Sequence, residues 1–271
     1  MKKALLIGIN YFDKPESILY GCINDIQNIR NMLIDVYGFS DNNIIMLRDD
    51  SDNTDFLPTR NNIITQFESI VSISDTLDEL WIHYSGHGSR IKDKNNDENT
   101  GYDSIIVPID DIITDDELFT YIQRIQCKAI LLFDSCNSGT VSDLQWHNEY
   151  KIDTDELIIT QNNDKIIDNP NIFVISGSRD DQNSSDVRDK KINQYYGAFT
   201  MAFTECLRRS NHHIHIIDLY RNICKFLSFH NYVQIPILST THNMNYDFIF
   251  QRPLIEPKPI STPSIAKCKI L

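Results

Sequence analysis

LLFDSCNSGT (131–140) begins as an apolar run and ends in small polar residues, with a cysteine just past the point of change. Such a run is typical of a strand that is covered on both faces. A cysteine kept for packing would lie inside the run, but Cys136 follows Asp134 and Ser135 beyond it. The stretch therefore predicts a buried strand that displays a thiol past its carboxyl end.

The same kind of run recurs along the chain and alternates with segments of helical periodicity. The predicted strands are 4–9, 43–47, 80–84, 129–133, 171–176 and 234–239. Helical spacing marks 21–38, 58–71, 114–124, 197–209 and 217–228. The third of these helices opens on a capping box from Thr114 to Glu117. The alternation predicts an α/β fold: a six-stranded, mainly parallel sheet with helices on both faces.

The composition is that of a globular protein with an acidic balance, since the 271 residues carry a formal net charge of −13. No basic stripe is available for phosphates, so we expect no nucleic-acid partner. A metal ion or a substrate that carries Arg or Lys fits the charge better. No run approaches the ~18 consecutive apolar residues of a membrane span. The six cysteines form no CxxC pair, which predicts reduced thiols and a cytoplasmic location.

A histidine stands at a second strand end. Glycines flank His87 in YSGHG (84–88), which follows the predicted strand 80–84. The carboxyl ends of parallel strands share one edge of a sheet, so His87 and Cys136 are expected to be neighbours. Such a pair can perform acyl transfer, in which the His takes the thiol proton and later gives it to the leaving amine. Singly, each residue also fits an ordinary buried or solvated position.

YSGHG and DSCNSG (134–139) resemble the His and Cys boxes of metacaspases, relatives of caspases that cleave after Arg or Lys. The resemblance continues in order, with type I spacing, through LIGINYF (6–12), LYGCINDI (19–26), DENTGYDSIIVPID (97–110), ITDDEL (113–118), ISGSRDDQNSSD (175–186) and GAFT (197–200). It implies a caspase-like cysteine peptidase domain over 1–252 that acts as a monomer. Within this domain it implies a large-subunit-like part (1–145), a linker (146–170) and a small-subunit-like part (171–252).

The resemblance also implies roles for individual residues. Cys136 becomes the nucleophile and His87 the general base and acid, with the N–H groups of Gly88 and Cys136 as the oxyanion hole. An acidic S1 pocket follows, formed by Asp25 and Asp134 with Ser85 and Asp186 as further candidates. Two carboxylates suit a basic P1 side chain. Without the resemblance, Asp25 is better explained as an ordinary exposed helix residue.

Some positions depart from the family pattern. Asn137 follows the nucleophile where His is common, and Thr100 and Ser104 stand where acids are frequent. A caspase-like scaffold that binds partners without turnover is therefore the alternative function.

Acidic residues are dense between 93 and 117, where nine carboxylates accompany one lysine. Such a cluster either stays solvated or recruits a hard cation with oxygen ligands, and the residues alone favour the solvated loop. Asp115 and Asp116 also suit the first turn of a helix. The resemblance implies a calcium site formed by Asp115, Asp116 and Asp143, with a further ligand from Asp97, Glu98 or Asp103.

Basic residues in the predicted linker are candidates for self-processing. If the enzyme cleaves after basic residues, Lys151 and Lys165 are the candidate bonds. Residues 253–271 are proline-rich and predict a disordered tail. The tail ends with Cys268 in the outline of a prenylation box, in which Lys269 is a poor fit.

Overall fold

The computed structural model describes residues 1–93, 101–136, 138–139, 141–178, 194–243 and 248–251, together with the main chain of 186–189. Its strands are β1 (Lys2–Gly8), β2 (Ile44–Arg48), β3 (Glu79–Ser85), β4 (Gly88–Lys92), β5 (Tyr102–Ile106), β6 (Ile113–Thr114), β7 (Lys128–Asp134), β8 (Trp146–Lys151), β9 (Glu156–Gln161), β10 (Ile172–Ser176), β11 (Asp186–Asp189), β12 (Gln194–Gly197), β13 (Ile214–His215), β14 (Ile237–Thr240) and β15 (Ile249–Phe250). Its α-helices are α1 (Cys22–Asp35), α2 (Arg60–Val71), α3 (Asp115–Ile122), α4 (Ala198–Arg209) and α5 (Ile216–Phe229).

The main sheet has eight strands in the order β2-β1-β3-β7-β10-β14-β8-β9. The first five are parallel to their neighbours, and the last three are added antiparallel. The α/β class and the mainly parallel sheet are confirmed, but the predicted count of six strands is too low. The two strands missing from the prediction are β8 and β9.

Both additional strands come from the segment 146–170, which we expected to be a linker. They form a hairpin in which β8 pairs with β14 and β9 lies at the sheet edge. Only Asn148 and Tyr150 of β8 are buried, and five of the six residues of β9 are exposed. An edge hairpin of this kind buries little apolar surface, so its sequence lacks the apolar run that marks the inner strands.

Helices cover both faces of the sheet. Successive residues of each inner strand point into opposite cores, as Leu5 and Leu6 do in β1. One core is shared with α1, α4 and α5, and the other with α2 and α3. Thr114 accepts a hydrogen bond from the Glu117 N–H at the start of α3, as the capping box predicts. Among the described residues, no helix is long and apolar enough to cross a membrane.

The register of the parallel strands decides where the site forms. Ser85 at the end of β3 lies opposite Asp134 at the end of β7 and opposite Gly8 at the end of β1. The residues that follow these three strands therefore leave the sheet side by side. That edge is where open α/β sheets form their sites.

Candidate active site

Cys136 and His87 lie on neighbouring turns at this edge. Cys136 is partly exposed, whereas the four other cysteines of the described chain are buried. A Cβ added to Gly88 would overlap the carbonyl oxygen of Cys136. The glycine after the histidine is therefore needed for close approach, and it brings the turn of His87 against the main chain of the thiol residue.

The thiols differ in their chemical setting. Burial raises the pKa of Cys127 and of Cys206 to about 11, and that of Cys224 to about 12. These three stay protonated at neutral pH and are poor nucleophiles. Cys136, outside the core and beside a histidine turn, is the thiol that the fold makes available.

The imidazole of His87 is oriented by a main-chain carbonyl. Its Nε2 lies 2.6 Å from the carbonyl oxygen of Ser17. A carbonyl can only accept, so in the neutral ring Nε2 carries the hydrogen and Nδ1 carries the lone pair. Nδ1 is then the nitrogen that can accept a thiol proton. The sequence does not mark Ser17 as a functional residue, because a contact through a main-chain carbonyl does not depend on residue type.

Two carboxylates lie side by side next to this dyad. Asp25 and Asp134 are both buried, so the expectation of an exposed Asp25, made without the resemblance, is wrong. A Cβ added to Gly197 would stand 2.8 Å from one oxygen of Asp25 and would overlap an oxygen of Asp134. The glycine of the GAFT box thus leaves room for both acids.

The first turn of α4 holds both acids. The N–H of Gly197, the N-cap residue, lies 3.0 Å from each oxygen of Asp25. Thr200 donates to Asp134 Oδ2 from its N–H at 2.9 Å and from its hydroxyl at 2.8 Å. A helix N-terminus favours negative charge, so this position suits two carboxylates.

Two further candidates for the pocket are also placed here. The hydroxyl of Ser85 donates to Asp25 Oδ2 at 2.8 Å. Asp186 lies opposite Gly197 in the β11–β12 pair, and only its main chain is described. The structure therefore brings Asp25, Asp134 and Ser85 together and places the main chain of Asp186 beside them.

A buried histidine stands behind Asp134. His83 Nε2 lies 3.2 Å from the Thr200 hydroxyl, which itself donates to Asp134. The hydroxyl has one hydrogen, so His83 must donate to it. Burial lowers the pKa of His83 to about 3, which keeps it neutral. Thr200 and His83 were not singled out by sequence analysis, because their role depends on contacts between distant elements.

An acidic cluster forms a second group of titratable side chains, made of Asp103, Asp115, Asp116 and Asp143. Asp103, Asp115 and Asp143 are buried. The pKa of Asp115 is raised to about 8, first by burial and then by the charge of Asp143. Asp143 itself has a φ of 49°, an unusual value for a residue other than glycine. The resemblance-based calcium residues Asp115, Asp116 and Asp143 thus come together, while Asp97 and Glu98 lie outside the described residues.

A lysine lies against this cluster. Lys165 Nζ is 3.0 Å from Asp143 Oδ2 and 3.6 Å from Asp116 Oδ1, and 5.0 Å from the centre of the Phe119 ring. Carboxylate oxygens are the donors that calcium prefers. Across the described ranges, however, no three His, Cys, Asp or Glu side chains are placed to hold a metal. The donor chemistry fits calcium, but the ammonium of Lys165 lies against two of the four acids.

The fold and the edge that carries Cys136 and His87 define a caspase-like domain. The family model for the metacaspase peptidase C14 domain matches residues 2–145, and the chain belongs to that family.

Relatives support the assignment. Metacaspase-1 of Schizosaccharomyces pombe is 30% identical over 90% of this chain and 68% of its own length. Metacaspase-1 of Scheffersomyces stipitis is 41% identical over 152 residues. The matched residues make up 54% of this chain and 38% of that relative's length.

Solved structures share the fold at low identity. Protein GSU0716 from Geobacter sulfurreducens has a TM-score of 0.63 at 18% identity, covering 93% of this chain and 97% of its own. Caspase-1 from Spodoptera frugiperda has a TM-score of 0.58 at 13% identity, covering 89% and 86%.

Proposed function

We propose that the protein is an endopeptidase that cleaves peptide bonds after Arg or Lys. The buried pair of Asp25 and Asp134 carries this proposal. Two neighbouring carboxylates in a buried site are costly unless a cation compensates them. A guanidinium or ammonium from the substrate would pair with both acids. An Asp side chain at P1 would instead add a third negative charge.

The dyad supplies the chemistry. His87 Nδ1 takes the proton of the Cys136 thiol, and the sulfur attacks the scissile carbonyl carbon. The N–H groups of Gly88 and Cys136 would stabilise the oxyanion. The C–N bond then breaks as His87 protonates the leaving amine, which leaves a thioester. A water that gives its proton to His87 hydrolyses the thioester and releases the new carboxyl group and the thiol.

A panel of fluorogenic peptides with Arg, Lys or Asp at P1 tests this proposal. Each peptide is assayed with millimolar calcium and with chelator. We expect calcium-dependent cleavage after Arg and Lys, and none after Asp. If a folded protein cleaves no peptide under any condition, the scaffold function replaces the peptidase. Failure to label Cys136 with a P1-Arg chloromethyl ketone would support the same conclusion.

We further propose that calcium regulates the enzyme through the acidic cluster. Asp115, Asp116 and Asp143 would hold the ion, with Asp103 as the further ligand among the described candidates. A divalent cation would neutralise more of the cluster than one ammonium can. The raised pKa of Asp115 supports this proposal, because burial and then the charge of Asp143 disfavour its ionised form, whereas a nearby cation would favour it.

Lys165 is the resident cation of the acidic cluster, and calcium would have to displace it. The two candidates for self-processing, Lys165 and Lys151, differ in how accessible their main chain is. Lys165 lies in the irregular segment 162–167, and the next residue, Ile166, is 78% exposed. Lys151 is the last residue of β8, pairs with Glu156 in β9 and forms an ion pair with Glu149. We therefore propose that Lys165, once released, is the residue after which the chain cuts itself.

Replacing Lys165 with methionine is expected to tighten calcium binding about tenfold, because the ion no longer competes with an ammonium. Tenfold corresponds to about 1.4 kcal/mol, a reasonable value for one partly buried ion pair. The measurement is isothermal titration with calcium in the Cys136→Ala background, which prevents self-cleavage. Lys151→Met is the matched control and should bind calcium like its parent.

Two other results would contradict parts of this proposal. Equal calcium affinities for Lys165→Met and Lys151→Met would show that Lys165 does not compete. No calcium binding by any variant would remove calcium from the proposed function.

Self-cleavage is tested in the enzyme with Cys136 intact. Intact-mass analysis should show a 166–271 fragment that Lys165→Met abolishes and Lys151→Met keeps.

A further inference from the structure

The main chain of His87 is paired in an unusual way. The antiparallel register of β4 and β5 sets Gly88 opposite Ile106, so that His87 and Val107 form the next pair. In a regular hydrogen-bonded pair the two residues exchange both N–H to C=O bonds. Here one bond is direct, from the Val107 N–H to the His87 carbonyl at 3.2 Å. The other bond is interrupted.

The hydroxyl of Tyr11 is inserted where the second bond would be. The His87 N–H donates to Tyr11 Oη at 2.8 Å, and Tyr11 Oη donates to the Val107 carbonyl at 2.6 Å. One oxygen atom therefore bridges the two main chains and holds them apart at His87. Tyr11 follows β1, the strand beside β3, so its position depends on the sheet order rather than on proximity in sequence.

A second tyrosine holds the carbonyl of His87. Tyr84 Oη donates to the His87 carbonyl at 2.7 Å and accepts from the Val107 N–H at 3.1 Å. Tyr11 and Tyr84 are both buried. Burial raises the pKa of both phenols, so each hydroxyl keeps the hydrogen that it donates. Gly86 leaves room for them, since a Cβ there would stand 2.7 Å from Tyr84 Oη and 3.1 Å from Tyr11 Oη.

Tyr11 also contacts the imidazole directly. The rings of Tyr11 and His87 have centroids 4.5 Å apart and are tilted by 37°. Tyr11 adopts a φ of 58°, in the left-handed region that favours glycine. A bulky residue held in this conformation at a functional site indicates that the surrounding contacts require it.

We infer that Tyr11 is a positioning residue for His87: its hydroxyl opens the β4–β5 pair by one oxygen atom, and its ring fixes the imidazole facing Cys136. Tyr84 supports the same residue through its carbonyl, but the Val107 N–H also binds that carbonyl and partly replaces Tyr84. The inference rests on the proposed peptidase function.

Tyr11→Phe tests the inference, because it keeps the ring and removes only the hydroxyl. The His87 N–H and the Val107 carbonyl must then either meet directly, which moves His87, or remain unpaired. A misplacement of about 1 Å in an active site costs about 10²-fold in rate. We expect kcat for the arginyl peptide to fall about 100-fold, with KM changed less than twofold. Nitrogen-15 NMR should show changed Nδ1 and Nε2 shifts for His87.

The matched control is Tyr37→Phe. Tyr37 is another buried tyrosine, whose hydroxyl bonds to His212 Nδ1 at 3.1 Å. This variant also loses a buried hydrogen bond and should lose stability, but kcat and the His87 spectrum should stay unchanged. Tyr84→Phe should give an intermediate fall in kcat.

Several results would overturn the inference. One is a Tyr11→Phe enzyme with the kcat and His87 spectrum of the wild type. If Tyr11→Phe does not fold, a Tyr84→Phe variant that equals Tyr37→Phe in kcat and spectrum overturns it instead. If the wild type cleaves no peptide, the peptidase proposal has failed, and the rate of Cys136 alkylation by iodoacetamide replaces kcat. Equal alkylation rates for the wild type and Tyr11→Phe, with unchanged His87 shifts, then overturn the inference separately.

Discussion

Cys136→Ala is expected to lower kcat/KM for an arginyl peptide by about 10⁴-fold or more, the scale seen when a covalent nucleophile is removed. The sulfur forms the thioester, and no other thiol of the described chain is exposed at this edge. Cys136 lies outside the core, so the variant should unfold at nearly the temperature of the wild type. The measurement is fluorogenic peptide hydrolysis, with circular dichroism as the check on folding.

Cys127→Ala is the matched control for this variant. Cys127 precedes β7 at its amino end, whereas Cys136 follows the same strand at its carboxyl end. Removal of the buried thiol should leave kcat/KM within about twofold, although it creates a small cavity that costs some stability. Hydrolysis that survives in Cys136→Ala, or that disappears in Cys127→Ala, would remove Cys136 from the role of nucleophile.

Asp25→Asn is expected to lower kcat/KM for both arginyl and lysyl peptides about 100-fold. The substitution keeps the shape of the side chain and removes one of the two buried charges. Loss of one charged partner from a buried pair costs about 3 kcal/mol, which is about 100-fold in rate. Asn keeps one oxygen that can accept from the Gly197 N–H or the Ser85 hydroxyl, so we expect only a moderate loss of stability. The measurement is kcat/KM for each peptide, with thermal unfolding alongside.

Asp35→Asn tests whether position rather than charge alone matters. Asp35 is an exposed acid at the end of α1, the same helix that carries Asp25. Its substitution should change kcat/KM less than twofold.

Asp134→Asn should lower kcat/KM about as much as Asp25→Asn. The double variant should lose less than the product of the two single losses, because both acids bind one cation. Unchanged cleavage after Arg in Asp25→Asn would exclude this pair as the basic-residue pocket.

Much of the fold followed from local pattern. The inner strands are continuous apolar runs because helices cover both of their faces, and such runs are visible in sequence. The β8–β9 hairpin was hidden because it is added at an edge. Only two residues of β8 are buried, and most of β9 faces water. The sequence resembled a linker there because burial, which marks a strand, is largely missing.

The surroundings of the charged residues could not be predicted from the sequence pattern. Asp25 lies on a helix whose other polar residues are exposed or partly exposed, and its residue type alone predicts an exposed carboxylate. It is buried because the N–H of Gly197 and the hydroxyl of Ser85 reach it from elements far away in sequence. Lys165 is similar, since a lysine in a polar stretch says nothing of the buried carboxylate that it contacts.

The sequence by itself determined the α/β class, the family, and the appearance of a histidine and a cysteine at two strand ends, because strand periodicity and residue type are local properties. Only the tertiary structure decided that Ser17 orients the imidazole, that α4 holds both acids, that Tyr11 separates two strands at His87 and that Lys165 lies in the acidic cluster. Each of these contacts joins elements that are remote in sequence or uses a main-chain atom. The order and register of the sheet strands determine these contacts. Neither the order nor the register can be read from local patterns in the sequence.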